Sequence, residues 1–166
     1  SQAKSLEIGA ATVQMDVDIT RMMDDLHGFP DNSVSAIYAS HILEHSSFGD
    51  NSMLFTLQEW HRVLRPNGLL MVSVPDMITL FQLYLKPNIT LDERWLLTRV
   101  IYGAQTDEYD YHKIGFSEDI LTHFLEHPYQ GKTKSNMKST NNGGFCDIKR
   151  VNSFQLFSDS SDIIIM

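Results

Sequence analysis

Cysteine is nearly missing from this chain: Cys146 is the only one in 166 residues. That excludes an intrachain disulfide and any metal cluster built on several thiolates. No apolar run approaches the roughly 18–20 residues that a bilayer span requires. Ser1–Gly9 is too short, and its one apolar patch too strand-like, for a secretory leader. Positive charge is also scarce, with 13 Lys and Arg against 21 Asp and Glu and a net charge of −8. A nucleic-acid backbone is gripped by clustered cations, so nucleic acid is not expected as the main partner. No Gly-x-Gly-x-x-Gly run is present, which counts against a dinucleotide-binding dehydrogenase. Gly131-Lys132-Thr133 lacks both the earlier glycine and the following apolar helix of a phosphate loop. What remains is an ordinary balance, 42% hydrophobic and 20% charged, in one domain of 166 residues long enough to bury a core. The expectation is a soluble, cytoplasmic protein without a membrane anchor.

The informative stretch runs from Asp31 to Asp76. Val34, Ile37 and Tyr38 with small Ala36 and Ala39 between them predict a strand, opened by the turn-forming pair Asp31-Asn32. Met53, Leu57, Trp60 and Leu64 recur at intervals of four, three and four, the stripe of an amphipathic helix over 52–65. Pro66-Asn67-Gly68 should stop it, since proline cannot continue a helix and Asn-Gly tolerates positive φ. Leu69–Val74 is apolar almost throughout, as suits a parallel strand covered on both faces. The reading is a right-handed βαβ unit. In such sheets ligands lie beyond the carboxyl ends of the strands, which here are Ser40-His41 and Pro75-Asp76.

The segments FPDNSVSAIYASHILEH and LQEWHRVLRPNGLLMVSVPD resemble the fourth and fifth strands of class I S-adenosylmethionine-dependent methyltransferases, of the methyltransferase-11 kind. The later VIYGAQTDEYDYHKIGFSEDIL resembles a subgroup of predicted methyltransferases with a YGxQxxxxDxHK-like segment. The resemblance implies an α/β, doubly wound, mostly parallel Rossmann-like sheet. It also implies S-adenosylmethionine as cofactor and methyl transfer to a small-molecule or saccharide acceptor. Ser5-Leu6-Glu7-Ile8-Gly9 then corresponds to the first strand, with Gly9 as its cofactor-facing glycine or as an ordinary turn residue.

One departure is large. Only six residues separate Gly9 from Asp16, whereas a crossover containing a helix needs about 10–12. The amino-terminal half is therefore expected to be shortened, although 13–19 can still form a strand. By the resemblance, Asp16, Asp18 and Asp24 are the candidates for the ribose and adenine contacts, or else solvated carboxylates, and Ser40 lies at the strand tip. Losing cofactor contacts worth about 1–1.5 kcal/mol each would move a micromolar site toward millimolar. Weak or absent cofactor binding is expected, and a non-catalytic scaffold or partner subunit is the alternative to an enzyme.

Further along, 77–85 and 91–102 read as helices, the second opened by a Thr90/Glu93 capping box. With the loop to residue 113 they form an insertion that serves either as a lid or as extra core helices. In that loop Asp110 could orient His112 as a general base, or both could simply pin the loop by hydrogen bonds. His41 is placed for a cofactor or substrate contact. His41-x-x-Glu44-His45 has a metal-like spacing, but no metal site is expected, because the resemblance to a strand end explains the segment. Ser117 should cap a helix over 118–126 with Ile120, Leu121, Phe124 and Leu125 inward. Residues 128–144 read as a flexible loop, 145–151 and 153–157 as closing strands, and Ile163–Met166 as a final strand cut short.

Overall fold

The computed structural model describes residues 2–8, 11–17, 23–48, 52–128, 144–151 and 162–165. Strand β1 (Gln2–Ile8) pairs with β2 (Ala11–Val17), and a second sheet orders β3 (Val34–Ser40), β4 (Leu64–Pro75) and β5 (Asp162–Ile165). Among the described residues the helices are α1 (Ser52–Val63), α2 (Met77–Tyr84), α3 (Leu91–Tyr102) and α4 (Glu118–Glu126), with a 3-10 turn at Leu43–His45. Strands β3 and β4 are adjacent and parallel, joined through α1. This is the expected mixed α/β unit, and it agrees with a reduced Rossmann-like methyltransferase fold. Strand β5 runs antiparallel to β4, pairing Val72 with Ile165 and Pro75 with Asp162.

The shortened start takes a definite form. Strands β1 and β2 are antiparallel, in register from Gln2 opposite Val17 to Ile8 opposite Ala11. Two residues link them, enough for a hairpin and far too few for a helical crossover. Expected strand 13–19 is thus drawn earlier, into β2.

Helix α1 buries Met53, Leu57, Trp60 and Val63, and Leu57 is completely inaccessible. Met53, Leu57 and Trp60 join Ala39, Leu70, Val72 and Val74 of the sheet in one core, with Phe116, Leu121 and Leu125 completing it. The chain from Met23 to Asp31 is tied to this helix by polar contacts. Trp60 donates its indole N–H to the Met23 carbonyl at 3.1 Å. Arg62 donates to the carbonyls of Phe29 and Leu26 and to the carboxylates of Asp31 and Glu59.

Pro66-Asn67-Gly68 ends the helix by a route the sequence does not foretell. Strand β4 starts at Leu64 and carries the triplet as an irregularity, so that Val34 faces Leu64 while Ala36 already faces Leu69. Asn67 takes φ 62° there. A Cβ on Gly68 would lie 2.8 Å from the Arg65 carbonyl oxygen, so the bulge requires glycine.

Beyond β4, Asp76 caps α2 by accepting from Ile78 N–H at 3.0 Å and from the Thr79 hydroxyl at 2.9 Å. The Thr90/Glu93 capping box opens α3 as expected. Helix α4 has the expected bounds, but Ser117 donates its hydroxyl to Asp119 instead of capping the backbone. Leu121 and Leu125 are inward, whereas Ile120 faces solvent. Residues 145–149 form no strand, and the expected strand over 153–157 and most of the 128–144 loop lie outside the described residues. Among the described residues, no helix is long and apolar enough to cross a membrane.

Candidate functional site

The carboxyl end of β3 is where chemistry-bearing side chains gather. Ser40 pairs with Ser73 of β4, and His41 N–H donates to the Ser73 carbonyl at 2.9 Å, prolonging the sheet by one bond. His41 then takes a left-handed conformation, φ 51°, which breaks the strand and throws the chain into the 3-10 turn. Because the turn is tight, His41 and Glu44 come onto one side, with His41 Nδ1 3.3 Å from Glu44 Oε1.

Glu44 is 1% exposed. Its backbone carbonyl accepts from Lys113 N–H at 2.8 Å and Ile114 N–H at 3.1 Å, which clamps the 103–114 loop onto the turn. The loop is held again where His112 N–H donates to the Tyr102 carbonyl at 3.1 Å. Gly103 permits this closure with φ 83°, since a Cβ would stand 2.2 Å from the Asp110 carbonyl oxygen. The loop thus closes onto the turn that follows His41.

Its side chains are arranged differently from the expected pair. Asp110 directs its carboxylate at Thr106, accepting from the backbone N–H at 3.2 Å and the hydroxyl at 2.9 Å. Those bonds hold its pKa below the usual carboxylate value. His112 instead faces Glu44, with Nε2 3.9 Å from Oε1. The expected Asp110–His112 orientation is therefore replaced, because Asp110 is occupied in building the turn. Burial lowers the His112 pKa, opposed by the Glu44 charge and by a bond to the Val100 carbonyl. The neighbouring His45 and His41 reinforce the lowering. His45 completes the corner: Nδ1 lies 3.1 Å from the Tyr111 carbonyl, and its ring meets that of His112 edge-on at 4.8 Å between centroids.

The cofactor-side candidates fare otherwise. Gly9 and Asp18 lie outside the described residues, and Asp16 sits in β2 opposite Ala3. Asp24 lines an open depression with Asp25, His27, Phe55, Glu59 and Arg62, a set that shares no residue with the corner. Asp76, at the other strand end, spends its carboxylate on the α2 cap. Sequence reasoning passed over Glu44 as a site residue. The available signal was a carboxylate three residues after His41 in a segment otherwise built for burial.

Residues 3–72 match the family described as a methyltransferase domain. The match spans β1 to most of β4 and agrees with the expected resemblance to a methyltransferase domain over that part of the chain. The chain matches no curated protein and no solved structure.

Proposed function

We propose that this chain serves S-adenosylmethionine-dependent methyl transfer to a small-molecule or saccharide acceptor. The observation that carries the reading is the corner of His41, Glu44 and His112 at the carboxyl end of the parallel strand β3, within and beside the stretch that matches a methyltransferase domain. Methyl transfer needs the acceptor held in line with the methyl donor and, for a hydroxyl acceptor, a group to take its proton. His112, kept neutral by burial, is the proton acceptor in this reading, with Glu44 beside it and His41 reaching the strand tip. Asp110 shapes the loop that delivers His112. On the cofactor side the reading rests on Gly9, Asp16, Asp18, Asp24 and Ser40. The segment over α2 and α3 would act as a lid above the acceptor.

The two-residue link between β1 and β2 favours a second reading, a non-catalytic scaffold or partner subunit that keeps the sheet without a full cofactor pocket. Calorimetric titration with S-adenosylmethionine separates the two. The catalytic reading expects measurable binding, weakened toward millimolar by the missing first helix, together with slow methyl transfer that His112→Ala abolishes without changing cofactor affinity. No heat and no transfer across an acceptor panel would establish the scaffold. Micromolar affinity lowered by Asp18→Ala would show that the pocket is intact after all.

A further inference from the structure

We propose that Glu44, His45 and His112 form a binding site for a divalent transition-metal ion of the zinc type. One ligand atom from each lies within 4.8 Å of the others. Bonds of about 2 Å to a tetrahedral ion set its ligands about 3.3 Å apart, so the donors need to close by roughly an ångström or more. His112, carried on the 103–114 loop, is the ligand placed to make that adjustment.

Burial supplies the independent argument. Neither carboxylate oxygen of Glu44 completes a hydrogen bond, although the side chain is 1% exposed. The His41 ring at 3.3 Å is near enough for charge attraction, but not aligned to donate. A carboxylate removed from water without hydrogen bonds is costly, and a cation is what repays it. The imidazoles are prepared to share that cation. His45 Nδ1 is engaged by the Tyr111 carbonyl, which leaves its Nε2 lone pair for an ion, and His112 is anchored through its backbone N–H on the Tyr102 carbonyl. Carbonyl-held rings of this kind orient ligating histidines. Two imidazoles and one carboxylate suit zinc and its neighbours over magnesium or calcium, which prefer oxygen donors. His41, 44% exposed, marks the open side, where a water can fill a fourth position.

The spacing of His41, Glu44 and His45 does not make this site by itself. His112, returned by the α2–α3 excursion, supplies the ligand from outside that segment. Ion and proton compete for the same nitrogens, so a loaded chain has no free base at His112. Ion binding is nonetheless independent of methyl transfer and is read without it.

The test is calorimetry of the metal-free chain with zinc sulfate, with visible absorption of added cobalt(II) as the coordination readout. One zinc per chain at micromolar Kd or tighter is expected, with a raised Tm. Glu44→Gln, His45→Gln and His112→Gln should each weaken binding at least ten-fold. Circular dichroism checks folding, and His45→Gln and His112→Gln, in half-covered positions, serve where Glu44→Gln fails to fold. The exposed pair of His123 on α4 and His127 just past its end is the control, its rings stacked 5.0 Å apart. Absence of stoichiometric zinc binding overturns the proposal. So does binding that His123→Ala with His127→Ala removes while Glu44→Gln and His112→Gln leave it intact.

Discussion

Helices α1 and α3 are each 12 residues long and carry one tryptophan, yet Trp60 on α1 is 3% exposed and Trp95 on α3 is 65% exposed. Helix α1 connects two parallel strands, so topology lays it against the sheet whatever its surface, and its apolar stripe matches that demand. Helix α3 links helix α2 to the 103–114 loop and joins no pair of strands. It leans on α2, where Arg94 sits over the Tyr84 ring at 5.3 Å, and buries no residue fully. Leu91, Leu96 and Tyr102 share its exposure. Similar apolar content thus leads to core in one helix and surface in the other. The difference is what each helix connects.

The largest expected effect breaks the buried side of that comparison. Trp60→Ala should cost about 3–5 kcal/mol, through a cavity and the lost bond to Met23, measured as a fall in the urea midpoint. An unchanged midpoint would mean that α1 does not anchor the core. Next, Arg62→Ala should cost about 2–4 kcal/mol, because it releases the chain from Met23 to Asp31 and leaves the buried Glu59 carboxylate unpaired. Arg62→Lys should recover little of this, since one ammonium cannot reproduce the fork.

On the exposed side, Thr90→Ala removes the capping box and should cost about 1 kcal/mol, read locally as faster amide exchange in α3. A smaller, pH-dependent effect belongs to α1. Burial lowers the His61 pKa, and its ring packs edge-on against Phe145 at 5.3 Å. A depressed folded-state pKa leaves stability intact above the unfolded value near 6.5 and erodes it as pH falls through the folded value. His112 adds to the same acid-side loss. His61→Gln should flatten the stability profile below pH 6.5, and an identical profile would refute the assignment. Trp95→Ala should change stability by less than about 0.5 kcal/mol. A loss comparable to that of Trp60→Ala would mean that α3 is covered in the working protein.

Much of this was legible in the residues. The stripe of α1, the capping box of α3 and the apolar run of β4 follow from local rules, and each local rule agrees with the tertiary contact that forms. The bulge at Pro66-Asn67-Gly68 did not follow, because the triplet specifies a break and leaves open how the strand absorbs it. The apolar residues of α3 left lid and core helix both open, because periodicity signals a face without naming a partner. For the site, His41 and His112 were read from strand-end position and loop chemistry. Their meeting through Glu44 depends on Gly103 and on two backbone bonds to the Glu44 carbonyl, contacts between segments far apart in the chain.

The hydrogen bond from Met77 N–H to the Phe116 carbonyl, 2.9 Å long, has a wider meaning. It ties the start of the α2–α3 excursion to the point where the chain returns. A lobe whose two ends touch can be lengthened, trimmed or exchanged without reordering the strands beneath it, since closure entropy rises only slowly with length. In evolutionary terms this is an interchangeable cassette on a fixed sheet. Relatives that share β3, α1 and β4 could differ entirely over it, and an engineer could graft a different cassette there. The graft would need to restore only the Asp76–Phe116 junction and the return past Glu44.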